Sequence, residues 1–258
     1  MVPTNTSSTP TLSYRPAPDF TGGLRRLYSK MSTRLPSYEE LRRNHVFPFN
    51  RRATGRLLWY VEGPLQENVF VRVEDSGPTG PREPYAQQFI TNDTQWHGIS
   101  KEPLTEPSIS SITVRIYALD LYPDDWEDSH HRHMDCDSAM SVYEKRGGKK
   151  TLIECCGEYR PADHVPLLIK ASSQPFIPVH DYVTTVHPWI LSFQDEILAV
   201  TGEDRDAGSK LVLNCGALDS LMITTEDYLN FLRNLPEVSG APDSWFIAPL
   251  PEFNHRVE

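Results

Sequence analysis

The chain has 258 residues, 22 of them proline, and a formal charge of -10. That length allows one large domain or two small ones with a substantial core, while the proline content favours loop-rich or β-rich architecture, because proline cannot donate to helix or sheet ladders. The acidic balance argues against nonspecific nucleic-acid or anionic-membrane binding as the main activity, since both require an excess or a clear face of Lys and Arg.

Residues 1–18 are polar and proline-rich without the apolar centre of a secretory signal, and no later run approaches the roughly 20 apolar residues of a membrane span. A soluble, intracellular, cytoplasmic protein is expected. Cys136, Cys155, Cys156 and Cys215 show no disulfide-framework spacing. A reduced compartment fits this usage, and the sequons at Asn5 and Asn92 are then silent.

Residues 1–36 are rich in Thr, Ser, Pro and Arg with few apolar positions, and read as a flexible arm. Residues 37–258 read as a single α+β domain, β-rich over 56–172 and helix-containing over 173–258. At its start, Ser37 stands at an N-cap with Glu40 three residues on, where hydroxyl and carboxylate can reciprocally satisfy backbone N–H groups. Leu35-Pro36-Ser37-Tyr38 also resembles a proline-tyrosine docking motif, but such short motifs match readily by chance, so the capping reading is preferred.

Strands are expected over 56–62, 68–74, 85–91 and 111–119, with Val69, Val71 and Val73 on one face of the second and Ile112, Val114, Ile116 and Ala118 sharing a face of the last. A hairpin follows over 139–145 and 150–156, where Gly147-Gly148 can supply the positive φ angles of a tight turn. Its tip carries Lys145, Arg146, Lys149 and Lys150, a solvated turn or a dock for an acidic partner. Beyond it, Pro188 suits a first helical position, with Trp189, Ile190, Phe193, Ile197 and Val200 at helical spacing up to Gly202. Strands over 210–214 and 221–223 precede a helix capped by Thr224, with Leu229, Leu232 and Leu235 on one face.

Three of these segments, Asn68–Val73, Gln88–Trp96 and Ser111–Asp120, resemble the middle of a C2 domain, in which a strand precedes a tryptophan-bearing loop and a further strand ends at calcium-binding aspartates. The resemblance implies a β-sandwich. The opening strand and paired loop aspartates of that family are not evident, so calcium or lipid binding is implied less strongly.

Metal chemistry has one candidate. The run from Asp124 to Asp137 is the densest cluster of metal-capable side chains, and His131, His133 and Cys136 could offer three of the four ligands of a zinc ion from one loop, with His130 or Asp128 completing the shell. A solvated, charged insertion is the commoner origin of such a run. Cys215, in Leu211-Val-Leu-Asn-Cys-Gly216, stands where a strand gives way to a turn, as nucleophiles often do. It would need a base such as His180 or His164, each beside an aspartate in the chain. Buried cysteine is usually structural, and Cys155 and Cys156, adjacent on a strand, should point to opposite faces.

Phosphate-loop, dinucleotide and serine-hydrolase signatures are absent from the sequence. The fold expected is an antiparallel, sandwich-like or curved sheet covered by two C-terminal helices. The function expected is a nonenzymatic binding or scaffold protein with a protein or small-molecule partner. The alternatives are an enzyme using the zinc loop or the Cys215 thiol, and a C2-like calcium or lipid binder.

Overall fold

A computed structural model describes residues 34–74, 76–77, 79–89, 93–131, 141–201 and 209–234. Every described element lies in the unit that begins at Leu35. Helix α1 (Tyr38–Arg43) opens with the expected capping box: Ser37 Oγ accepts from Glu40 N at 3.1 Å, and Glu40 Oε2 accepts from Ser37 N at 2.7 Å. Then come a 3-10 turn (Thr54–Arg56), β1 (Leu57–Tyr60), the short α2 (Leu65–Asn68), β2 (Val69–Arg72), β3 (Arg82–Pro84), β4 (Ala86–Gln88), β5 (Thr94–Trp96) and β6 (Ser111–Ile116).

Helix α3 (Tyr117–His130) follows β6 directly, and this corrects two expectations. The strand over 111–119 stops at Ile116, and the acidic, histidine-bearing run is helical through His130 rather than a loop. Leu119, Pro123, Trp126 and His130, spaced at helical intervals, are its buried residues. Asp120, which the C2 resemblance would put in a calcium loop, lies in this helix and pairs with Arg115 at 3.6 Å.

The hairpin forms as expected from β7 (Ser141–Arg146) and β8 (Lys149–Cys155), with Gly147 and Gly148 both at positive φ. A short β9 (Glu158–Tyr159) extends it, and β10 (Leu167–Lys170) pairs with β6. The helix expected from Pro188 is two helices. Helix α4 (Val179–Leu191) holds Pro188 inside it at an exposed position, and α5 (Gln194–Thr201) follows after a break at Ser192 and Phe193. Strands β11 (Leu211–Asn214) and β12 (Ser220–Thr225) lead into α6 (Glu226–Asn234), where Thr225 rather than Thr224 accepts from the first turn, at Tyr228 N.

Seven strands form one sheet in the order β10-β6-β12-β11-β1-β2-β3, antiparallel except for the parallel pair of β6 and β12. Two smaller sheets, β4-β5 and β7-β8-β9, stand beside it. Strand alternation sorts side chains to two faces. Leu57, Trp59, Val69, Val71, Leu211 and Leu213 join the main core with Tyr182, Val183, Val186 and Ile190 of α4. From the other face, Leu58, Tyr60, Phe70 and Val212 meet Leu229 of α6. The sheet is thus clad by helices on both sides. Among the described residues no helix is long and apolar enough to cross a membrane.

The main core contains a buried polar relay. Trp59 Nε1 donates to His187 Nδ1 at 2.8 Å, and His187 Nε2 lies 2.9 Å from Gly63 O. Because Nδ1 accepts, the ring proton sits on Nε2 and is donated to the carbonyl, which fixes a neutral imidazole. Burial lowers the His187 pKa in the same sense.

Candidate anion-binding site

The face of β1, β2 and β11 beneath α6 is where charge accumulates. Strand alternation puts Tyr60, Phe70 and Arg72 on this face, and helical spacing turns Glu226, Leu229, Asn230 and Arg233 toward it. Tyr60 Oη donates to Glu226 Oε2 at 2.5 Å and accepts from Arg82 Nη1 at 2.6 Å. The Arg82 guanidinium also lies 3.5 Å from Glu226 Oε1 and 5.0 Å from the centre of the Phe70 ring. The Lys210 ammonium stands 5.2 Å from the Tyr60 ring centre. Two cations are therefore held over an aromatic floor, a favourable arrangement with the negative ring faces.

Two further arginines lie deeper. Arg72 is only 6% exposed; its Nη2 donates to Asn230 Oδ1 at 2.9 Å, while its buried Nε has no acceptor. Arg233 Nη2 donates to Leu57 O at 3.1 Å, and its buried Nη1 likewise has none. Burial, and next the neighbouring Arg233 charge, push the Arg72 pKa down to about 10. Burial also lowers Arg233. Burial and then the Glu226 hydrogen bond raise the Tyr60 phenol, so the floor stays neutral. Glu226 contacts Arg82 and its charge also acts on Arg72, while Arg233 stands close enough to Arg72 for its charge to lower that pKa. Guanidinium groups gathered in this way match carboxylate and phosphate oxygens in geometry.

The residues singled out from the sequence lie elsewhere. Cys215 is 2% exposed in the main core, and burial pushes its thiol pKa up to about 11, so it is protonated at neutral pH. Among the described residues no hydrogen bond joins it to His180 or His164; its sulfur lies 4.0 Å from Leu213 O. His180 sits in the first turn of α4 with its ring edge-on to Trp96, centroids 4.5 Å apart, and Asp181 accepts from Ser172 instead of orienting it. His164 contacts Glu196 rather than Asp163, which pairs with Arg160. It borders a shallow cleft with Arg115, Asp120, Trp189 and Phe193 whose roughly 10 Å³ suits about one water molecule. His131 terminates α3, while His133 and Cys136 lie outside the described residues. Among the described residues no three His, Cys, Asp or Glu side chains gather as a metal-binding group.

Sequence reasoning missed Arg72 and Arg233. The signal for Arg72 was the charge closing the apolar run Val69-Phe70-Val71, which period-2 alternation puts on the Phe70 face. For Arg233 the helix macrodipole offered a sufficient local reason, and nothing local links it to a strand far earlier in the chain. No family model, no curated protein and no solved structure matches this chain.

Proposed function

We propose that the chain is a nonenzymatic cytoplasmic binding or scaffold protein, and that the Tyr60 platform receives an acidic segment of a partner protein. The observation that supports this most is the adjacency of Arg72 and Arg233, each withdrawn from water with a guanidinium N–H lacking an acceptor. Burying like charges together is unfavourable, and an incoming carboxylate offsets that repulsion. Arg82 and Lys210 at the rim are the groups it meets first. Phe231, 58% exposed and stacked near Tyr228 on α6, offers apolar contact for a flanking side chain. On a chain of charge -10, a local positive site also steers acidic partners to one place.

The test is a titration of the 15N-labelled full chain with a hexaglutamate peptide, followed by NMR of the arginine side-chain N–H signals. Saturable shifts at Arg82, Arg72 and Arg233, lost in an Arg82→Ala/Lys210→Ala variant, are expected. Unmoved arginine signals, or shifts at Lys145 and Lys150 of the hairpin tip instead, would refute the assignment.

A further inference from the structure

Strand alternation predicts that Cys155 and Cys156 point to opposite faces, and the structure departs from this. Cys155 ends β8, is fully buried, and packs with Trp126 and Leu152. Cys156 begins the turn into β9, is exposed, and has φ 55°, followed by Gly157 at φ 85°. Two successive positive φ values are the signature of a type I′ hairpin turn, whose first position is filled by preference with Asn, Asp or Gly. A cysteine there adopts a conformation that L side chains rarely take. The left-handed residue breaks the strand alternation and brings the two sulfurs to 3.7 Å, with Ser141 Oγ 3.6 Å from Cys155 Sγ. An unfavourable local conformation that places two thiols together calls for a reason beyond packing.

We propose that Cys155 and Cys156 form a reversible modification site, closing to a vicinal disulfide by exchange with a low-molecular-weight disulfide. The exposed Cys156 sulfur, as thiolate, attacks one sulfur of the small disulfide, forming a mixed disulfide and releasing one small thiolate, which takes up a proton. Cys155 supplies that proton, attacks the Cys156 sulfur as thiolate, forms the protein S–S bond and expels the second small thiolate, which is protonated by solvent. Two protein thiols are oxidised and one small disulfide is reduced to two thiols. Adjacent Cα atoms are about 3.8 Å apart, below the usual disulfide span of roughly 4.4–6.8 Å. The bridge is consequently strained, and strained, exposed bridges are the readily reduced ones. That makes it a labile switch in the β8-β9 turn, independent of the anion platform.

The full chain, reduced and then exposed to glutathione disulfide, is blocked with N-ethylmaleimide under denaturing conditions and cut after lysine. The peptide 151–170 contains both sulfurs and no other cysteine. It is expected to carry no label and to be lighter by two hydrogens, regaining two labels after dithiothreitol. Two labels without reductant, a glutathione retained on Cys156 beside a labelled Cys155, or a bridge to a peptide holding Cys136 or Cys215 would each overturn the proposal. Cys156→Ser, at an exposed position, should abolish closure and leave Cys155 unmodified until denaturation. Cys136→Ser should leave closure intact.

Discussion

His187 joins strand and helix by two hydrogen bonds inside the core, and its removal leaves Trp59 Nε1 and the Gly63 carbonyl without partners. His187→Ala is expected to cost about 2–4 kcal/mol from the orphaned groups and the cavity together, read from the urea midpoint. His187→Gln, which keeps a donor and an acceptor, should cost less. The folded pKa of His187 lies below its unfolded value, so the unfolded chain binds more protons in the window between them. Its contribution is full above about pH 6.5 and is lost as pH falls through the folded value. The urea midpoint of the wild type should therefore drop more steeply from pH 7 to pH 5 than that of His187→Gln. At the platform, Glu226 competes with any incoming carboxylate for Arg82 and Tyr60. Glu226→Gln keeps an acceptor for the Tyr60 hydroxyl while removing the charge, and should tighten hexaglutamate binding about tenfold, or about 1.4 kcal/mol, measured by calorimetry.

Elements with strong local signals were legible in the sequence. The α1 capping box depends on Ser37 and Glu40 alone, and Ser37→Ala should cost about 1 kcal/mol of stability, seen as a lower urea midpoint. The Gly147-Gly148 hairpin and α6 needed little more than turn chemistry and a first-turn acidic pair. Helix α3 was hidden because Pro123 and a dense run of acids disguise the stripe of Leu119, Trp126 and His130 that it buries. The start of α4 was obscured differently. Pro188 marks a first helical position by rule, yet here it occupies an exposed place inside a helix anchored by Tyr182, Val183 and Val186. The β8-β9 turn makes its own prediction: Cys156→Gly removes the left-handed strain but adds unfolded-state entropy. A net gain of about 0.5–1 kcal/mol is expected from those opposing magnitudes, measured as a raised thermal midpoint under reducing conditions.

Across the whole molecule, sheet order assembles what no single segment announces. The order β11-β1-β2-β3 with α6 above brings Tyr60, Arg72, Arg82, Lys210, Glu226 and Arg233 together from segments far apart in the chain. Mixed α and β content was readable from periodicity, whereas this juxtaposition depends on strand pairing and register, which local patterns do not specify. The overall negative charge carried no sign of a cationic site, because net charge constrains solubility and steering without excluding a local patch of opposite sign. Cys215 is buried in the core while His180 packs against Trp96 and His164 contacts Glu196, placements that residue type and position in the chain do not specify. Isothermal titration calorimetry of the full chain with hexaglutamate, at low and at physiological salt, is the decisive measurement for the Tyr60 platform. A saturable site that weakens with salt and loses at least about tenfold in affinity in Arg82→Ala/Lys210→Ala is predicted; equal binding by wild type and variant, or no heat at either salt, would contradict it.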